Sequence, residues 1–323
     1  MSQHEEQPAR THVRAPFSSK LHGILVPFTT PFRPDGEVDA DGLRANLARW
    51  AETPLSGFVA LGSTGERVHL DTSERARVVE AAREAVSASF VFVVGVGAHS
   101  TRLTIGEARE AARAGADALL VITPHFYRGA MSQEALYEHY VAVADDSPVP
   151  VVLYNIPQNT GVAVAPETVA RLAEHENVAG IKDSSGDFVN FVEMLRLAGR
   201  REGFALMTGH ASTLYASLCE GARGAILAAA CVVPELCVEV YESFTAGEHA
   251  RARDLQERLL PVARAVTTRY GVGGLKYAMS LRGYAGGRVR APLHMPGEEA
   301  RAEIARLLEE AKGPHARAVD LNA

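Results

Sequence analysis

Short, almost unbroken apolar runs alternate along this chain with longer stretches whose apolar residues recur at helical spacing. Eight runs stand out, at residues 23–28, 57–62, 90–96, 116–123, 149–154, 178–182, 204–208 and 221–229. Runs this short, apolar at successive positions rather than at every second one, are the pattern of strands buried on both faces, as in a parallel sheet covered by helices. Helix starts follow from capping chemistry. Asp39, Asp71, Ser100 and Ser132 each precede a helical stretch with a side-chain oxygen suited to the free N–H groups of a first turn, and Pro166-Glu167-Thr168 opens another. The joints Ala114-Gly115-Ala116 and Glu220-Gly221-Ala222 mark helix ends.

Eight strands alternating with helices close on themselves, so the predicted fold class is α/β, a (β/α)8 TIM barrel. The rival is an open doubly wound sheet. The first strand lacks the G-x-G-x-x-G turn of a dinucleotide fold, and Gly95-Val96-Gly97-Ala98-His99 lacks the third glycine and the later acidic partner. Helical stretches at 233–245, 249–270, 275–281 and 297–312 exceed the one helix that closure requires and read as a C-terminal helical appendage. The expected organisation is a flexible arm over 1–20, the barrel over 21–232, the C-terminal helices over 233–312 and a tail over 313–323.

Composition narrows the function classes. The 323 residues are 47% hydrophobic and 22% charged, with a net charge of −6. No long Lys/Arg cluster points to nucleic acid or to an anionic membrane surface. The first twenty residues lack the apolar core of a secretory signal, and the apolar run 224–234 falls well short of the roughly 18 residues of a membrane span. A cytoplasmic enzyme is expected. Cys219, Cys231 and Cys237 are odd in number and lack metal-ligand spacing, so they read as small core residues in a reducing compartment, with no metal.

In a barrel of this kind chemistry sits at the C-terminal ends of the strands. The sixth run ends in Gly180-Ile181-Lys182-Asp183. Burial disfavours a lysine's charged form and favours the free amine that attacks a carbonyl to form a Schiff base; the plainer alternative is a rim lysine reaching for water. The second run leads into Gly62-Ser63-Thr64-Gly65-Glu66. Two glycines around two hydroxyls suit a tight turn that holds a carboxylate, or an ordinary strand-to-helix turn. The fifth ends in Tyr154-Asn155-Ile156-Pro157, where a phenol is either a proton relay or packing.

Together with Val26-Pro27-Phe28-Thr29-Thr30-Pro31-Phe32 on the first strand, these motifs stand in order at four strand ends. The chain thereby resembles, over about residues 21–292, the pyruvate-dependent class I aldolase superfamily that contains dihydrodipicolinate synthase and N-acetylneuraminate lyase. The resemblance implies that Lys182 condenses with the C2 carbonyl of pyruvate or a related 2-oxo acid. Tyr154 would shuttle protons to the imine and the aldol oxygen. Ser63 and Thr64 would supply a relay hydroxyl and a carboxylate contact, with the backbone around Gly65, and the Ile226 carbonyl would line the site. Ser184 joins the substrate-binding set. The iminium serves as electron sink, so no cofactor is needed. The partners implied are small-molecule 2-oxo acids and aldehydes, and a homotetramer built from dimers in which Phe126 and Tyr127 lie near a subunit contact.

Departures from the family pattern bear on the substrate. Where the synthase carries an arginine that clamps the second substrate's carboxylate, this chain has Asn159. Where it carries a relay tyrosine from a neighbouring subunit, this chain has Phe126, so that either Tyr127 or His125 replaces it or the relay is absent. Ala228 and Gly209-His210-Ala211 replace the polar residues with which the lyase binds sugar hydroxyls. His210 is expected at the variable end of the substrate, or as a rim histidine. The middle and C-terminal motifs, Tyr127-Arg128-Gly129-Ala130-Met131-Ser132, Asn159-Thr160-Gly161, Arg269 through Lys276 and Arg290-Ala291-Pro292-Leu293, are most similar to 4-hydroxy-2-oxoglutarate aldolase, which differs at Thr64. The expected function is therefore a Schiff-base aldolase of that type. Dihydrodipicolinate synthase and a 2-keto-3-deoxy sugar-acid aldolase or dehydratase are the alternatives, and a non-catalytic 2-oxo acid sensor is the reading from another class.

Overall fold

The computed structural model describes residues 17–313. The eight apolar runs become eight strands: β1 (Gly23–Pro27), β2 (Gly57–Ala60), β3 (Val91–Val96), β4 (Ala118–Ile122), β5 (Val151–Asn155), β6 (Val178–Asp183), β7 (Ala205–Thr208) and β8 (Gly224–Ile226). Each pairs in parallel with its neighbours in chain order, and β8 returns to β1 to close the barrel. Strand β8 is shorter than its run because Gly221 ends the preceding helix in a left-handed conformation (φ 112°) and Ala228–Cys231 turns into a 3-10 helix.

The helices are α1 (Ala40–Trp50), α2 (Thr72–Ala85), α3 (Thr101–Arg113), α4 (Gln133–Asp146), the single turn α5 (Pro157–Thr160), α6 (Pro166–Leu172), α7 (Phe188–Ala198), α8 (Leu214–Glu220), α9 (Pro234–Thr245), α10 (His249–Arg264), α11 (Gly271–Leu281) and α12 (Glu298–Ala311). Asp39, Asp71, Ser100 and Ser132 are N-caps whose side chains accept first-turn N–H groups, and Asp71 with Glu74 makes a complete capping box. Each such cap is worth about 1 kcal/mol. Pro166 takes the first position of α6, where its missing N–H leaves nothing unpaired.

Strand side chains divide between two cores. Leu25, Val59, Val93, Leu120, Val152, Tyr154, Met207 and Ile226 fill the barrel, while Val26, Phe58, Val94, Val121, Leu153 and Leu206 face the helices. Strand β6 breaks the alternation. Val178 pairs with Val151 but Gly180 pairs with Val152, so one extra residue is absorbed in a bulge. Val178 packs outward and Ala179 inward; past the bulge Ile181 packs outward again and Lys182 lies opposite the inward-facing Tyr154. Unbroken alternation from Ala179 would have placed Lys182 outside. The extra residue is Ala179, and at Gly180, where pairing resumes, a Cβ would stand 2.2 Å from the Ala205 carbonyl oxygen, so that position has to be glycine.

Helix α9 packs on β1 and α8, in the place of an eighth barrel helix. Helix α10 packs on α9 and α12, runs through Pro261 into a π-helical stretch at Ala265–Arg269, and delivers α11 toward the barrel mouth. Of the expected arm, residues 1–16 lie outside the described residues, as do 314–323 of the tail. Phe17–Lys20 do not extend the arm: they form a 3-10 turn, with Phe17 packed on the inner core beside the fully buried Leu21. Cys231 and Cys237 are buried, and burial pushes both thiols well above the usual cysteine range. Cys219 corrects the expectation of three core cysteines, because it lies on the solvent side of α8. Among the described residues no helix is long and apolar enough to cross a membrane.

Candidate active site

Adjacent strands place Lys182 and Tyr154 opposite one another at the C-terminal end of the barrel. Both are nearly fully buried, and the Lys182 Nζ lies 4.5 Å from the centre of the Tyr154 ring. The Tyr154 hydroxyl shares a hydrogen bond of 2.9 Å with the Ser63 Oγ. One phenol therefore stands between an amine and a hydroxyl from another strand end, the arrangement a proton relay needs. Ile226, on β8, belongs to the same inner cluster as Tyr154.

Ser63 and Thr64 sit in a 3-10 turn, Ser63–Gly65, that follows β2. The N–H groups of Gly65 and Glu66 close it onto the carbonyls of Gly62 and Ser63, leaving those of Ser63 and Thr64 without a partner among the described residues. Two open N–H groups at the start of such a turn suit an anion. Non-glycine residues with positive φ flank it, Leu61 at 53° and Glu66 at 55°. Such conformations are costly and persist only where the surroundings enforce them. Here Thr30 Oγ1 donates to the Gly65 carbonyl at 2.8 Å, and Glu66 is locked from below. Its carboxylate meets the Lys276 Nζ at 2.5 Å and accepts the Arg290 N–H at 3.0 Å. Lys276, from α11, is fully buried; its Nζ also donates to the Arg288 carbonyl at 2.7 Å and lies 4.3 Å from the Phe32 ring centre. Desolvation draws its amine below the usual lysine range against the opposing pull of Glu66. Arg290 pairs with Glu74 of α2, a contact that holds the Glu74 carboxyl below its usual range.

The residues following Tyr154 and Lys182 point away from the barrel and tie its rim together. Asn155 Nδ2 donates to Asp183 at 2.7 Å, Ser185 Oγ donates to the other Asp183 oxygen at 2.8 Å, and burial raises the Asp183 pKa against these bonds. Ser184 is buried with its N–H on the Asn155 carbonyl, and its own carbonyl accepts from Gln158 and from the His210 Nε2 at 3.1 Å. His210 therefore braces the loop after β6, in a small recess with Asp183, Gly186 and Thr208, away from the main cavity.

That cavity, about 490 Å³, opens above the barrel and is lined by Ser63, Tyr154, Asn159, Thr160, Glu66, Arg67, His69, His99 and His125, with Val272 and Leu293 from the C-terminal segment. Of the expected site residues, the structure brings Ser63, Tyr154, Lys182 and Asn159 together and sets His210 apart. Phe126 and Tyr127 are about 70% exposed and meet edge to face, with Phe126 also against His99. The sequence reading missed Glu66, Lys276, Arg290 and Arg67. Glu66, Lys276 and Arg290 lie inside the motifs quoted above, yet nothing local to them reveals a partner so distant in the chain. No group of three or more metal-ligating side chains gathers among the described residues.

The model of the dihydrodipicolinate synthetase family matches residues 20–311. A 4-hydroxy-tetrahydrodipicolinate synthase of Methanothrix thermoacetophila is 37% identical over 88% of this chain and 95% of its own, and one of Archaeoglobus fulgidus is 35% identical over 90% and 98%. The dihydrodipicolinate synthase structure from Thermotoga maritima superposes with a TM-score of 0.85 at 29% identity, over 90% of this chain and 98% of that one. An E. coli prophage protein of the dihydrodipicolinic acid synthase family, solved in complex with pyruvate, gives 0.85 at 29%, over 90% and 99%. With its closed barrel and the match across nearly all of its length, the chain belongs to the dihydrodipicolinate synthetase family and is a carbon–carbon lyase.

Proposed function

We propose that Lys182 forms an imine with pyruvate and that the derived enamine makes or breaks a carbon–carbon bond to an aldehyde. The observation that carries this reading is the Tyr154 hydroxyl, set 2.9 Å from Ser63 on a ring that lies beside the Lys182 amine. The amine attacks the C2 carbonyl, and the carbinolamine loses water as Tyr154 delivers the proton. The iminium then takes up the electron pair when a C3 proton leaves, and the enamine attacks the aldehyde carbon, whose oxygen receives a proton through Tyr154 and Ser63. The open N–H groups of Ser63 and Thr64 suit the pyruvate carboxylate.

Condensation of pyruvate with aspartate semialdehyde is the first reaction to assay, because the synthase relatives cover almost the whole chain at 34–37% identity. Cleavage of 4-hydroxy-2-oxoglutarate is the second reading, and Asn159 favours it: an amide replaces the arginine clamp that the synthase resemblance would require. The exposed Phe126–Tyr127 pair suits contact with a second subunit in a tetramer. Borohydride trapping with pyruvate, read by mass spectrometry, is expected to place a pyruvyl adduct on Lys182. An adduct that persists in Lys182→Ala overturns the assignment, and an adduct without turnover on either substrate pair favours the sensor.

A further inference from the structure

The cavity above Tyr154 carries cationic and imidazole groups that imine chemistry does not use. Arg67, one residue past Glu66, lines it together with His69, His99 and His125. The Arg67 side chain is 13% exposed, its Nη2 engages Glu107, and its Nε is buried with no partner among the described residues. Arg67 stands between this cavity and an adjoining pocket lined by Arg75, Glu107 and Glu110, and its unpartnered Nε leaves the guanidinium short of an acceptor that a ligand on the cavity side can supply. Glu107 aims the guanidinium without cancelling the local charge. One of its oxygens also accepts the Gly97 N–H at 2.9 Å, and the other lies 3.6 Å from the Arg75 Nη1, so two arginines share a single carboxylate. His99 stands edge to face with His125, ring centres 4.6 Å apart. The carboxylate of the cavity lining, Glu66, is already taken by Lys276, the Arg290 N–H and, at 3.4 Å, the His69 Nδ1, which leaves His99 and His125 as the imidazoles facing the ligand. An anionic ligand group entering here meets donors and an unspent positive charge.

Building on the imine reading, we propose that Arg67 is the specificity-determining residue that binds an oxyanion, a carboxylate or a phosphate, at the far end of the aldehyde half. The function of an arginine clamp then resides on the loop after β2, where a fork-shaped donor suits either oxyanion, and the position after Tyr154 is left to the neutral Asn159. Arg67 acts in binding, while bond formation stays with Lys182 and Tyr154.

The test measures kcat/KM for pyruvate condensation with matched aldehydes: succinic semialdehyde against butyraldehyde, and glyceraldehyde 3-phosphate against glyceraldehyde. Wild-type enzyme is expected to favour at least one anionic partner by tenfold or more, and its identity tells carboxylate from phosphate. Arg67→Gln is expected to cut the anionic-to-neutral ratio by about 10–100-fold, as loss of a charge-assisted hydrogen bond does. Arg67→Lys keeps the charge without the fork and supplies an intermediate ratio should the glutamine variant fold poorly. A wild-type ratio near one, or a ratio unmoved by both substitutions, overturns the inference. Failure of wild-type protein to give the Lys182 adduct overturns the imine reading on its own account, and separates the two.

Discussion

Replacing Lys276 by methionine tests what holds the Ser63–Gly65 turn in its strained shape. The side chain keeps its length and apolar stem but loses the charge that faces Glu66 at 2.5 Å, in a place where the carboxylate is 2% exposed and the lysine not at all. Removing one member of a buried pair strands the other, at a cost of about 3–5 kcal/mol. Glu66 keeps the Arg290 N–H at 3.0 Å, which places the expected loss near the lower bound. The Arg288 carbonyl also loses its donor at 2.7 Å, worth about 1 kcal/mol more. Urea unfolding at pH 7 should therefore show a loss of about 4 kcal/mol. The double variant Lys276→Met, Glu66→Gln, which leaves no stranded charge, should lose clearly less than Lys276→Met alone. Because Glu66 ends the turn that presents Ser63 to Tyr154, Lys276→Met should also weaken pyruvate binding. A single variant within about 1 kcal/mol of wild type, or a double variant whose cost is the plain sum of the singles, would refute the view that the ion pair holds the turn.

Two further outcomes follow from the same geometry. Burial lowers the His139 pKa to about 4, so the folded protein holds this histidine neutral while the unfolded chain protonates it near its ordinary 6.5. The stabilisation is complete above pH 6.5 and is lost as pH falls toward 4, by about 1.4 kcal/mol per unit and roughly 3 kcal/mol in all; His139→Gln should flatten that part of the stability–pH curve, measured by denaturant unfolding. Tyr154→Phe removes the hydroxyl that meets Ser63 while leaving the ring beside Lys182, so kcat should fall by about 10²–10⁴-fold; a change confined to KM would assign the phenol to binding alone.

The strands and helix starts were legible because their causes are local. An apolar run needs no knowledge of its partner to be buried, and the Asp71 carboxylate finds its donors within its own first turn. Lys182, Tyr154 and Ser63 were legible as candidates because barrel architecture confines chemistry to strand ends. Other features depend on the meeting of distant segments. Nothing near Glu66 foretells Lys276, and nothing near Lys276 foretells Glu66. His210 occurs in a strand-end motif, yet its ring turns to the Ser184 carbonyl because Thr208 and Gly186 shape the recess around it. Cys219 reads as a core residue by composition and is exposed because α8 turns that face outward. The substrate is written least clearly of all, since Asn159 and Arg67 acquire meaning only from the cavity they share.

The bulge at Ala179 in β6 separates two requirements that one strand would otherwise have to meet together. Ahead of it, Val178 answers to packing on the helices at the base of the barrel; beyond it, Ile181 and Lys182 set which side chain faces the interior at the mouth. In a regular strand the facing of the lysine is dictated by whichever residue starts the strand, so any change of phase at the base is felt at the mouth. A single extra residue inverts that phase between the base and the mouth. The strand thereby buries Val178 against the helices at its base and still turns the Lys182 amine inward beside Tyr154 at its mouth, two facings that an unbroken alternation would exclude.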